Sequence, residues 1–131
     1  MKTKTTEWIE FAQRDISLAE DIMQEEYYAN IVLFHCQQAI EKILKATLEE
    51  HSLTIPKIHN VLTLFDVLPG EVKTRLPLTR EEFLPIEDIY IDMRYPSQHG
   101  ILPSGFPTKE QAKEIFVIAK SIFDKVLAVL K

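Results

Sequence analysis

Arg94 and His99 are the residues whose types and spacing could do chemistry together. An arginine followed five positions later by a histidine offers a fixed positive charge and a proton carrier that works near neutral pH. Cleavage of RNA by its own 2′-hydroxyl needs both. Imidazole moves the proton, guanidinium stabilises charge on the phosphorane oxygens, and no metal is required. The spacing alone is a weak signal, and each residue has a plainer reading. Arg94, with Tyr95 and Pro96 beyond it, can pair with Glu41 or Gln37 and fix the following loop against a central helix. His99, next to Gly100, can be a solvated loop residue.

A second set lies in Asn30 to Glu50, NIVLFHCQQAIEKILKATLEE. Wound as a helix, this stretch places Leu33, Cys36, Ile40, Ile43, Leu44, Thr47 and Leu48 on one broad face. His35, Gln38, Lys42, Lys45 and Glu49 form a narrow stripe opposite. An imidazole, an amide and two ammonium groups on one face could hold a phosphate or an acidic partner; the alternative is the solvated side of a helix. Gln37 and Glu41 point to the flank of the apolar arc, so the carboxylate there needs a cation or donors from elsewhere in the chain.

The elements that must position these residues are helical. Trp8, Ala12, Ile16, Ala19 and Met23 recur at steps of three and four and predict a first helix over about Thr6 to Glu25, with Trp8 as a core anchor. A break at Glu26 to Asn30 then turns the chain into the central helix, and the two pair as an antiparallel hairpin. HSLTIPKIHN loses the helical period. Asn60 to Leu68 reads as a short third helix with Asn60 or His59 at its start, where a polar side chain caps free amides; a catalytic His59 is the other reading. A helical turn follows between Glu71 and Leu78, stopped by Pro77. Thr79 with Glu82 makes a capping box for a fourth helix over about Arg80 to Asp92, with Phe83, Ile86, Ile89, Tyr90 and Met93 inward and its first turns distorted by Pro85. Arg94 to Pro107 carries three prolines and two glycines and reads as a long loop, a length that usually serves function. Thr108 and Gln111 make a second capping box, opening a last helix over about Lys109 to Leu130. The expected fold is all-α: one domain over residues 1–131, an up-and-down bundle of four main helices plus one short helix.

Composition narrows the function classes. A chain of 131 residues with 46% apolar content supports one core. No apolar run is long enough for a membrane span and the polar start does not read as a secretory signal, so a cytoplasmic protein is expected, with no membrane partner. The single cysteine, Cys36, reads as a buried thiol and excludes a disulfide framework or zinc ribbon. A net charge of −5 argues against coating nucleic acid through bulk attraction; contact with RNA or a nucleotide would need a local pocket, a partner or a second copy. No glycine-rich phosphate loop, nucleophile elbow or metal-spaced cluster occurs, and no cofactor is expected.

FHCQQAIEKILKA (Phe34 to Ala46) resembles the signature second helix of the HEPN family of small prokaryotic all-helical proteins. The likeness extends to the Trp8 helix, the Tyr27-Tyr28 break, HNVLTL from His59 to Leu64, and YIDMRYP from Tyr90 to Pro96. The resemblance implies a homodimeric helical bundle, often encoded beside a minimal nucleotidyltransferase and acting with it in a toxin–antitoxin type system. It further implies nucleotide or RNA binding, and in many members a metal-independent ribonuclease with an Arg-x4-6-His motif in the dimer cleft. Arg94 matches that arginine, His99 could match the histidine, and Tyr95 would neighbour them. The chain departs from the pattern at Ser97, where Asp is common after Arg-Tyr-Pro in this branch; there the histidine is often missing as well.

Overall fold

The computed structural model describes residues 1–89 and 106–131. Helix α1 (Thr3–Ile22), a 3₁₀ turn (Glu26–Tyr28) and helix α2 (Ala29–Glu50) form the first hairpin. Two short helices follow, α3 (Val61–Asp66) and α4 (Gly70–Arg75), then a 3₁₀ turn (Arg80–Phe83), the single turn α5 (Leu84–Glu87), and the closing helix α6 (Lys109–Leu130). The fold is all-α, and the described residues contain no strand. No helix among them is long and apolar enough to cross a membrane.

Helix α2 is the axle because its apolar residues cover most of its circumference. Leu33, Cys36, Ile40, Ile43, Leu44 and Leu48 are buried as the periodicity predicts, and so are Val32, Ala39 and Ala46 on the flanks. The small alanines let neighbouring helices approach, and α2 packs against α1, α3, α5 and α6. The stripe expected to face solvent is consequently half-covered: Lys45 is buried, and His35, Gln38 and Lys42 are half-buried.

The hairpin is tied at its open end. Glu50 Oε1 accepts hydrogen bonds from the Lys2 amide at 3.0 Å and the Thr5 hydroxyl at 2.9 Å, so α1 starts at Thr3, three residues earlier than its apolar stripe requires. The amide hydrogen bond from Lys2, with help from Thr5, lowers the Glu50 pKa. Ser52 takes a left-handed φ of 56°, and the Leu53 amide returns to the Leu48 carbonyl at 3.0 Å, which ends α2. Lys2 Nζ donates to the Glu49 carbonyl and to the Ser52 hydroxyl across the same end.

Local signals also set the later elements. Asn60 Oδ1 accepts from the Thr63 amide at 2.8 Å and caps α3. The Thr79 amide donates to Glu82 Oε1 at 3.3 Å, but the helix it opens begins as a 3₁₀ turn, because Pro85 cannot supply the amide that a regular second turn needs. Phe83, Ile86 and Ile89 are buried, as expected of that helix; its expected residues Tyr90 and Met93 lie outside the described residues. The turn between Glu71 and Leu78 is realised as α4, so two short helices stand where one short helix and a turn were expected. Thr108 and Gln111 form their reciprocal box, and Glu26 Oε1 accepts from the Lys109 amide at 3.0 Å, joining the start of α6 to the turn before α2.

Candidate functional site

Two buried carboxylates organise the polar groups of α2. The first, Asp15, comes from α1, and its side chain is only 9% exposed. Its Oδ1 lies 2.7 Å from His35 Nδ1, and its Oδ2 lies 2.7 Å from Lys42 Nζ. A carboxylate that leaves water stays ionised only if both oxygens find donors, and here both do. The Lys42 ammonium also sits 5.8 Å from the centre of the Phe11 ring, and the Phe34 ring meets His35 edge-on at 5.2 Å.

Glu41 is the second, a side chain 5% exposed on the opposite flank of α2. Its Oε1 is 2.7 Å from His59 Nδ1, while its other oxygen is 3.9 Å from Lys45 Nζ, one helical turn on. Gln37 Nε2 donates to the His59 carbonyl at 3.0 Å, and Gln38 Nε2 donates to Gln37 Oε1 at 2.8 Å. The segment before α3 is thus fastened to α2 through both the backbone and the ring of His59. Lys45 rests over the Trp8 ring at 5.8 Å, so even this buried ammonium has an aromatic face.

These contacts fix the chemistry of each imidazole. An ionised carboxylate only accepts, so Nδ1 must donate in both pairs. Neutral His35 and neutral His59 therefore carry their proton on Nδ1 and present Nε2 as an acceptor. Between the two helices Cys36 is buried, and burial, aided by the Asp15 charge, pushes its thiol up to about 12. It is a packing residue and no nucleophile at neutral pH.

The sequence profile of the HEPN domain matches residues 5–129. The chain belongs to the HEPN family. The solved structure of TT1696 from Thermus thermophilus is 25% identical, with a TM-score of 0.82, covering 98% of this chain and 99% of that one. ST0689, an archaeal HEPN homologue, shares the fold at 23% identity, with a TM-score of 0.73 over 100% of both chains. No curated protein matches the sequence.

Within this HEPN domain the residues singled out from sequence separate into three groups. Arg94, Tyr95 and His99 lie outside the described residues. His35 and Lys42 meet at Asp15, whereas Gln38 belongs to the Gln37 and His59 network on the other side. Gln37 and Glu41 are buried, and among the described residues Glu41 meets His59 at 2.7 Å and Lys45 at 3.9 Å. His59 does not cap α3; Asn60 does. Sequence reasoning passed over Asp15. Its signal was position, since Asp15 stands three after Ala12 and four before Ala19, on the buried stripe of α1. Phe11 was also missed: it is 54% exposed on α1 with Arg14 above its ring at 5.9 Å.

Proposed function

We propose that this chain is a nucleotide- or RNA-binding module, that it acts as a homodimer, and that it works with a minimal nucleotidyltransferase in a toxin–antitoxin type system. The single observation that carries the binding reading is the Glu41 and His59 pair in a chain of the HEPN family: a buried acid, 5% exposed, holds an imidazole whose side chain is 52% exposed. In this reading Arg94 supplies the cation for a phosphate and Tyr95 a ring beside it.

The same pair favours a second reading, a ribonuclease in which Arg94 stabilises the transition state and His99 moves the proton, because a further imidazole of fixed tautomer stands in the fold. Thermal unfolding of the full chain with and without ATP and a short oligoribonucleotide tests the first reading. Ligand at a hundred times its Kd should stabilise the protein by about 2.7 kcal/mol, and Arg94→Ala should remove that shift without changing the unliganded midpoint. No shift with either ligand would end the binding reading. Loss of RNA cleavage in both Arg94→Ala and His99→Ala, with the fold intact, would establish the second.

A further inference from the structure

We infer that the turn end of the α1–α2 hairpin, where Tyr27, Tyr28 and Phe106 line an open groove at an end of the bundle rich in unpaired carboxylates, is a docking surface for a basic, partly apolar segment of a partner polypeptide. The inference goes beyond the ligand reading above and does not depend on it, because a surface of this charge repels nucleic acid.

The 3₁₀ turn Glu26–Tyr28 and the residues just before α6 face each other across a groove of about 810 Å³. Glu26 fastens its two sides, since Oε1 accepts from the Lys109 amide at 3.0 Å. The Tyr27 and Tyr28 rings meet edge to face, 5.3 Å apart at 73°. Tyr27 is 87% exposed and Phe106 85%, and both line the groove beside Tyr28. Turn positions favour small polar residues. Aromatic rings gathered in water at one turn are apolar area that the core does not use, and such clusters mark contact with a partner.

Charge says what kind of partner. From Asp15 to Glu41 the chain has no lysine or arginine. Glu20 and Asp21 stand in the last turn of α1, Glu25 just beyond it, and Glu110 and Glu114 in the first turns of α6. All five are exposed, and none pairs with a cation among the described residues. Lys109 and Lys113, both half-buried, are the lysines of the same turns of α6. The groove itself is lined by Glu26 and by no lysine, arginine or histidine. The carbonyl end of α1 adds negative potential here. The amide ends of α2 and α6 oppose it only in part, because Glu26 accepts the Lys109 amide through its carboxylate and the Ala29 amide through its carbonyl. An arginine satisfies both halves of this surface: its guanidinium stacks flat on a tyrosine ring and pairs with a carboxylate at the rim. Apolar side chains of the same segment fill the groove between the rings. A phosphate would find neither counter-charge nor room without repulsion.

The experiment uses the full chain and a fluorescein-labelled heptapeptide, Arg-Leu-Arg-Pro-Arg-Leu-Arg, read by anisotropy at low salt. It should bind more tightly than hepta-arginine, which has the charge without the apolar side chains, and the version with glutamate for each arginine should not bind. Tyr27→Ala and Phe106→Ala should each weaken the peptide about tenfold, the usual cost of an aromatic anchor. Both side chains lie almost wholly in solvent, so these variants keep the fold. Asp21→Lys should weaken it about fivefold, and the loss should shrink as salt is added. Glu71→Lys makes the same change of net charge beside His51 at the far end of α2, about 33 Å away by helix rise, and should leave binding within about twofold. Equal losses in Asp21→Lys and Glu71→Lys would reduce the attraction to bulk charge and overturn the inference. So would wild-type affinity in both aromatic variants, or no binding of the heptapeptide. An oligouridylate that binds the wild type and is weakened by Tyr27→Ala would overturn it as well, by giving the groove to nucleic acid, whereas one that binds without regard to Tyr27 leaves both readings standing side by side and the docking surface supported by the peptide alone.

Discussion

The Asp15 and Glu41 clusters are built from the same three side-chain types and end in different places. Each is a buried carboxylate with a histidine Nδ1 at 2.7 Å and a lysine of α2 near its other oxygen. At Asp15 the lysine is also at 2.7 Å, and both partners come from one helix facing another, so the charge is balanced inside the α1–α2 seam. At Glu41 the lysine stands back at 3.9 Å and the histidine belongs to the segment before α3, with a side chain 52% exposed. The contrast teaches that a buried acid can serve two ends. A fully saturated one clamps helices, whereas one that leans on a single exposed imidazole fastens a loop and sets the tautomer of a ring that meets solvent.

Removing each acid separates the two roles. Asp15→Ala should be the larger loss, about 3 kcal/mol in urea unfolding, because it takes the acceptor from two partners held at 2.7 Å inside the seam, the Lys42 ammonium and the His35 ring. Equal stability of Asp15→Ala and wild type would mean that the cluster is no clamp. Glu41→Ala should cost less, about 2 kcal/mol, since His59 is half-exposed and Lys45 already stands back at 3.9 Å from the acid. The sharper readout is hydrogen exchange: in Glu41→Ala the amides of residues 57–63 should lose protection while those of α1 keep theirs, and in Asp15→Ala the α1 amides should lose it. A uniform loss in both variants would erase the distinction.

Much of this was readable from residue types alone, and the exceptions have a common cause. The apolar face of α2, the Thr108 box, the Asn60 cap and the distortion by Pro85 are local: each depends on residues within about one turn of each other. The need for a partner at Glu41 was readable too, because an acid beside an apolar arc cannot stay unpaired. Its partner was not. Arg94, the partner expected from sequence, lies outside the described residues, and the described contact with His59 could be found only by knowing which segment crosses that flank of α2. The same limit hid Asp15. A helical wheel shows which side of α2 is less apolar, but only the packing of α1 reveals that His35 and Lys42 there face a buried acid.

Cys36 gives the smallest and most discriminating test, because it lies beside one cluster and away from the other. Its folded pKa, about 12 against an ordinary 9.0, is raised by burial first and by the Asp15 charge second. The folded state therefore keeps a proton that the unfolded chain gives up. The stabilisation is complete below pH 9, declines by at most about 1.4 kcal/mol per pH unit above it, and is gone once pH passes the folded value. Urea unfolding of wild type and Cys36→Ala between pH 8 and 10.5 should show the steeper decline only in the wild type, which cancels the common contribution of lysines and tyrosines. Asp15→Asn should make that difference between the cysteine and alanine backgrounds shallower, since the neighbouring negative charge is gone. Glu41→Gln should leave it as it is. A change of the same size in both would mean that the two acids share one electrostatic environment across α2, and the separation of clamp from loop fastener would fail.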